Sequence, residues 1–136
     1  MYKRILLAVD GSASSVRAKE AAAALANGSG SEIFVVHIRE IEVTRGEHAK
    51  EDSDDAILLV DSVVNGLQVQ GLKVAGECRN ATSGQVAPSI LTVAKEFNAD
   101  IIVMGTRGLS DFAALLVGSV THKIINHAEC AVLVTR

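Results

Sequence analysis

Tryptophan is absent from this chain of 136 residues, and the aromatics are three phenylalanines and one tyrosine, 3% of the whole. That scarcity removes the stacking platforms on which single-stranded nucleic acids are held. An excess of basic charge is missing as well: 13 lysines and arginines stand against 16 acids, a net charge of −3, the wrong sign for a surface that neutralises phosphate backbones. Nucleic acid is not an expected partner. The two cysteines, Cys78 and Cys130, are too few and too far apart for a CxxC redox pair, a zinc cluster or a disulfide framework. No apolar run approaches the roughly 20 residues of a membrane span. The stretch behind Met1-Tyr2-Lys3-Arg4 stops at Asp10, too soon for a signal h-region. These absences predict a cytoplasmic protein without membrane insertion. What the chain does have is apolar substance, 49% hydrophobic residues, enough for one core and too little for two, so residues 1–136 are expected to form a single domain.

The apolar residues fall into two periods. Ile5-Leu6-Leu7-Ala8-Val9 is a continuous run bounded by Asp10-Gly11, the pattern of a strand buried on both faces. Ile33-Phe34-Val35-Val36-His37-Ile38 repeats it and is expected to stop at Arg39-Glu40. Asp100 to Met104 and Ala131 to Thr135 read as two more strands, and Leu72 to Cys78 as an edge strand that alternates weakly. Between them lie helical patterns. The first is capped within Ser12 to Ser15, has Val16, Ala21, Ala24 and Leu25 on its period and ends at Asn27-Gly28. A second runs from Ala56 to near Gly71. A third is capped by Thr82-Ser83-Gly84, with Val86, Ala87, Ile90, Leu91, Ala94 and Phe97 as its face, and a last opens at Gly118. The charged segment from Arg39 to Asp55 is expected to be a loop. Strands alternating with helices predict a three-layer α/β sandwich with a mostly parallel sheet, in which ligands sit at the carboxyl ends of strands where the strand order reverses. The loops to inspect follow Val9, Ile38 and Met104, and less directly Cys78.

The loop after Met104 reads Gly105-Thr106-Arg107-Gly108, and nine residues later Gly118-Ser119-Val120 opens the last helix. Glycines let a backbone approach a ligand without a Cβ clash, and a helix amino terminus offers unpaired N–H groups to an anion. Ser119 adds a hydroxyl donor and Arg107 a cation, so a phosphate site is expected there. Asp10 can accept from a ribose hydroxyl or help hold a divalent ion. Both features have plainer readings, turn glycines for the one and a capping residue for the other. A Walker loop is excluded, since no Gly-x-x-x-x-Gly-Lys occurs. His37, His48, His122 and His127 lack metal-ligand spacing, so no protein-built metal site is expected. Ser12 fits helix capping and not the surroundings of a nucleophile, and Asp54-Asp55 fits a helix start.

Gly105-x-x-Gly108-x(9)-Gly118-Ser119, together with Ala8-Val9-Asp10-Gly11-Ser12, Val36-His37-Ile38, Ala99 to Gly105 and the closing Val132-Leu133-Val134, resembles the universal stress protein family over essentially the whole chain. The resemblance implies a five-stranded parallel sheet in order 3-2-1-4-5, adenine-nucleotide α-hydrolase-like, with ATP bound at the switch point. By position it implies that Ala8, Asp10 and Ile38 line the adenine and ribose end. Met104, Gly105, Gly108, Gly118, Ser119 and Val120 would hold ribose and phosphates, with Mg2+ or Mn2+ carried mainly by the phosphates. The role of Arg107, which falls between the glycines, comes from the charge reading alone. The resemblance also implies a homodimer through terminal strand 131–135 and a regulatory role in stress response exerted on a protein partner whose identity the residues do not disclose. Ala131 stands where the family commonly has proline, which restores a backbone donor to that edge. No general base or catalytic lysine stands out, so efficient turnover is not expected. The alternative is a slow ATPase or phosphotransferase using the same site.

Overall fold

The structure, a computed structural model, describes residues 2–43, 47–49, 52–106 and 118–136. In chain order the elements are β1 (Arg4–Ala8), α1 (Ala13–Ala26), β2 (Glu32–Val43), β3 (Glu47–Ala49), α2 (Ser53–Val69), β4 (Lys73–Thr82), α3 (Val86–Phe97), β5 (Ile101–Gly105), α4 (Ser119–His127) and β6 (Ala131–Thr135). Five strands run parallel in the order β4-β2-β1-β5-β6, which is the expected 3-2-1-4-5 sheet. The order reverses between β1 and β5.

The aliphatic runs form central strands because both faces of the sheet are covered. Ile5, Leu7, Ile33, Val35, Ile101 and Val103 point to one side and pack with Ala18, Ala22 and Ala26 of α1 and Val60, Val63 and Leu67 of α2. Leu6, Val36, Ile38, Ile102 and Met104 point to the other, against Ala87, Ile90 and Val93 of α3 and Ile124 of α4. Side chains that alternate between two covered faces must be apolar at every position, which is why β1 and β5 show no polar alternation.

Several local expectations are corrected. The second strand does not stop at Arg39-Glu40: β2 continues to Val43, paired with β4 as far as Ile41↔Thr82, and its last residues pair antiparallel with β3. Part of the expected loop is therefore a hairpin. Charge did not prevent the strand, because β2 there is no longer sandwiched and the charged positions are half-buried or exposed. On α1 the buried face is Ala18, Ala22 and Ala26, whereas Val16 is 54% exposed. The third helix starts at Val86, its capping position is held by Gln85, whose side chain makes no capping bond, and Thr82 belongs to β4. Pro88 sits in the first turn of α3, where no intrahelical donor is lost.

The expected starts of the first two helices hold. Ser12 caps α1 by accepting from the Ser15 N–H at 3.2 Å, and Asp54 and Asp55 lie in the first turn of α2 behind the capping Asp52. Cys78 and Cys130 form no disulfide, and burial pushes the Cys130 thiol above its ordinary value. Among the described residues no helix is long and apolar enough to cross a membrane.

Candidate functional site

The pairing pattern of β2 opens a gap in the sheet. Its last β1 partner is Val36, opposite Ala8, and its first β3 partner is Ile41. Since β4 occupies the other edge of β2 through Ile41, β3 must lie on the β1 side. Among the described residues, 37–40 therefore have no strand on that edge. A cleft of about 390 Å³ lies at this opening and continues across the carboxyl ends of β1 and β5 to the start of α4. It falls at the strand reversal, where doubly wound sheets leave room for ligands.

Eight of the residues singled out in the sequence line this one cleft: Ala8, Asp10, Ile38, Met104, Gly105, Gly118, Ser119 and Val120. Arg107 and Gly108 lie outside the described residues. The expected strand end at Cys78 is corrected, since β4 continues to Thr82 and no loop follows Cys78; the third crossover reaches the cleft through Val86 and Ile90 of α3. Val36, His37, Glu40 and Thr121 complete the walls described here and were not singled out as site residues. Glu40 could not be seen as a wall residue while Arg39-Glu40 was read as the end of a strand.

Each part of the wall is fixed by identifiable bonds. Asp10 closes a local turn, its Oδ1 accepting from the Ser12 N–H at 2.9 Å while its own N–H donates to Ser15 Oγ at 3.2 Å. The plain capping-type role of Asp10 is thus present, and one carboxylate oxygen suffices for it. His37 is buried, with Nδ1 2.8 Å from the Val9 carbonyl. A carbonyl only accepts, so Nδ1 carries the proton. On the far side, the Gly118 N–H donates to the Thr106 carbonyl at 2.7 Å. The buried Thr121 hydroxyl lies 2.9 Å from the Gly105 carbonyl and 3.2 Å from that of Thr106. These contacts hold the first turn of α4 against the end of β5.

The two glycines that flank this junction are glycine for different reasons. A Cβ on Gly105 would lie 2.8 Å from Ser14 Cβ and 2.9 Å from the Ser14 carbonyl carbon, so α1 packs directly on its α-carbon. Gly118 has φ −62° and ψ 157°, a conformation open to any residue. Its lack of a side chain is not required by the backbone. Beyond it, the N–H groups of Ser119, Val120 and Thr121 have no intrahelical acceptor, and the capping residue supplies no side-chain bond. They form the positive end of the helix dipole at the wall of the cleft.

The cleft is chemically polarised. At one end are donors and a helix amino terminus. At the other are an apolar slot and the Glu40 carboxylate, with Asp10 between the two ends at the end of β1. Such a wall suits a ligand with an anionic group at α4, hydroxyls or amines facing the acids, and a flat apolar body between β2 and α3. A triphosphate fits the donors of α4. Among the described residues no group of three or more histidines, cysteines or acids could hold a metal ion. A larger hollow, about 460 Å³, lies where α3 and α4 end, beside Lys95, His127 and Cys130. It meets helix carboxyl termini, the wrong polarity for an anion.

A parallel 3-2-1-4-5 sheet with a cleft at its switch point defines a doubly wound α/β fold. The sequence profile of the universal stress protein family matches residues 1–136, and the chain belongs to that family. It is 36% identical over 137 residues to a universal stress protein of Thermus aquaticus and 30% identical over 154 residues to the universal stress protein YxiE of Bacillus subtilis, with full coverage of both chains in each case. Its fold is similar to that of the universal stress protein from Archaeoglobus fulgidus solved in complex with dAMP. The TM-score there is 0.76 at 24% identity, with 99% of this chain and 98% of that one covered.

Proposed function

We propose that the switch-point cleft binds ATP, with Mg2+ or Mn2+ carried mainly by the phosphates, and that the protein is a nucleotide-responsive regulator of the stress response, working as a cytoplasmic homodimer. The observation that carries this reading is the alignment of three features along one groove: the apolar slot of β2 and α3, the Asp10 carboxylate at the end of β1, and the first turn of α4. They match base, ribose and phosphates in that order. Ala8 and Ile38 border the base, with main-chain groups of Ile38 reaching its edge through the gap in β2. Met104, Gly105, Gly118, Ser119 and Val120 take ribose and phosphates. Arg107 and Gly108, which lie outside the described residues, are assigned to the phosphates by their place in the sequence. The Archaeoglobus fulgidus protein bound to dAMP supports the choice of adenine.

Function in this reading lies in occupancy, which changes what a protein partner meets. ATP with magnesium should raise the melting temperature, since a ligand at about a hundred times its Kd stabilises by about 2.7 kcal/mol. An unmoved melting temperature at saturating ATP sinks the proposal. The slow ATPase or phosphotransferase gains ground only if multiple-turnover hydrolysis is detected and is lost in Asp10→Asn.

Dimerisation is proposed through β6. Among the described strands β6 has only β5 as a neighbour, and its Ala-Val-Leu-Val-Thr sequence leaves an apolar open edge. Antiparallel pairing with a second copy across a twofold axis closes it. Sedimentation should give twice the chain mass, and a monomer at working concentration would refute this part alone.

A further inference from the structure

The chain contains two Asn-Gly pairs, Asn27-Gly28 and Asn65-Gly66, and the fold gives them opposite surroundings. Asn27 is the capping residue at the carboxyl end of α1, with φ −62° and ψ 121°, and its N–H donates to the Ala23 carbonyl at 3.0 Å. Asn27 and Gly28 are both exposed. The turn is closed by Ser29, whose N–H and hydroxyl donate to the Ala26 carbonyl at 3.2 and 3.0 Å. Neither the Asn27 side chain nor the Gly28 N–H has a hydrogen-bond partner among the described residues. A Cβ on Gly28 would meet nothing within 4 Å, so its surroundings are open. Asn65 is exposed as well, but it lies with Gly66 inside α2. There the helical ladder engages the Gly66 N–H with the carbonyl four residues back, and Lys19 Nζ lies 2.7 Å from where a Gly66 Cβ would stand.

We propose that Asn27 is a site of spontaneous modification, deamidating through a cyclic imide while Asn65 stays intact. The Gly28 amide nitrogen, giving its proton to hydroxide, attacks Cγ of Asn27. A C–N bond forms and closes a succinimide ring; the Cγ–Nδ2 bond breaks and ammonia leaves. Water then opens the ring at either carbonyl, giving aspartate, or isoaspartate in which the main chain runs through Cγ. Overall one water is consumed and one ammonia released, with nothing oxidised or reduced. Glycine in second place matters because a Cβ there would hinder the attacking nitrogen. Ring closure also requires rotation about ψ of the asparagine. At Asn27 that moves a residue already outside the helix, whereas at Asn65 it breaks the bonds of α2. The product adds a negative charge to a chain of net charge −3, at the helix end where the dipole is already negative. The aged form should therefore melt lower than the fresh one.

The test is to incubate the intact protein at mildly alkaline pH and follow both peptides by mass spectrometry. The amide-to-acid mass gain should appear at Asn27 at least about tenfold faster than at Asn65, which must wait for local opening of its helix. Labelling by an isoaspartyl methyltransferase should rise in step and vanish in Asn27→Gln. In guanidinium chloride the two sites should react at similar rates, showing that the fold makes the difference. Equal rates in the folded protein would overturn the proposal. So would an Asn27 that stays intact while the denatured chain reacts, or rates as unequal in denaturant as in the folded state.

Discussion

At the amino ends of β1 and β5 the charged groups are tied to one another. Asp100 Oδ2 accepts from the Lys3 and Arg4 N–H groups at 2.8 and 2.9 Å. Arg4 donates from Nε to the Phe97 carbonyl at 2.5 Å, pairs with Glu32 at 3.2 Å and lies 4.1 Å from the centre of the Phe97 ring. At the carboxyl ends of the same strands, Asp10, Glu40 and the first turn of α4 are arrayed around a cleft with room for about 390 Å³. One end joins strands to each other. The other borders an opening. A parallel sheet makes this division easy, because every helix begins at the carboxyl ends and brings its unpaired N–H groups there.

Substitutions should separate the two ends, with one instructive exception. Gly105→Val is at the cleft end yet should cost the most stability, about 3 kcal/mol or more, because its side chain meets Ser14 and must push α1 off β5. Urea denaturation checks this, and an unshifted midpoint would show that α1 yields easily. Gly118→Leu should do the reverse: its backbone needs no glycine, so the melting temperature of the free protein stays, while ATP affinity falls about a hundredfold or more as the side chain fills the approach to α4. Calorimetric titration decides it, and retained affinity would reduce Gly118 to a turn.

Arg4→Ala, at the opposite end, should lower stability by about 1 kcal/mol. Its ion pair is more than a third exposed and contributes little, leaving the bond to Phe97 and the ring contact. ATP affinity should not change; a change would break the division of labour. The smallest effect concerns Asp100. Bonds from the Lys3 and then the Arg4 backbone lower its pKa in the folded state. The stabilisation is therefore present above the unfolded value near 3.8 and disappears as pH falls through the lower folded value. Asp100→Asn should be less stable than the wild type near neutral pH, and the gap should close in strong acid. A gap independent of pH would mean that the carboxylate charge plays no part.

The strands sandwiched between helices were legible because burial on both faces forces unbroken aliphatic runs, as in Ile5 to Val9 and Ile101 to Met104. Where one face opens, the signal weakens. Arg39 to Val43 carries charges at its exposed and half-buried positions and reads as a loop, although β4 and β3 hold it as a strand. On α1 the close approach to the sheet selects alanine, and Ala18, Ala22 and Ala26 give a faint amphipathic pattern that Val16 misleads. Of the cleft, Asp10, Gly105, Gly118 and Ser119 could be named from residue type and spacing, whereas Ala8, Ile38, Met104 and Val120 came only with the family resemblance. Val86, Ile90 and Glu40 could not, since they enter from elements whose position over the groove depends on the crossover of α3 and the extra length of β2.

The contact between Ser14 and Gly105 also bears on how related chains should be sorted. A glycine at that position reports that a helix presses on a strand, and it would persist in a chain that had lost its ligand altogether. Counting glycines along this stretch thus mixes a scaffold requirement with an affinity requirement. Weighting the two sites separately, with Gly118 as the informative one, gives a sharper rule for deciding which family members to assay.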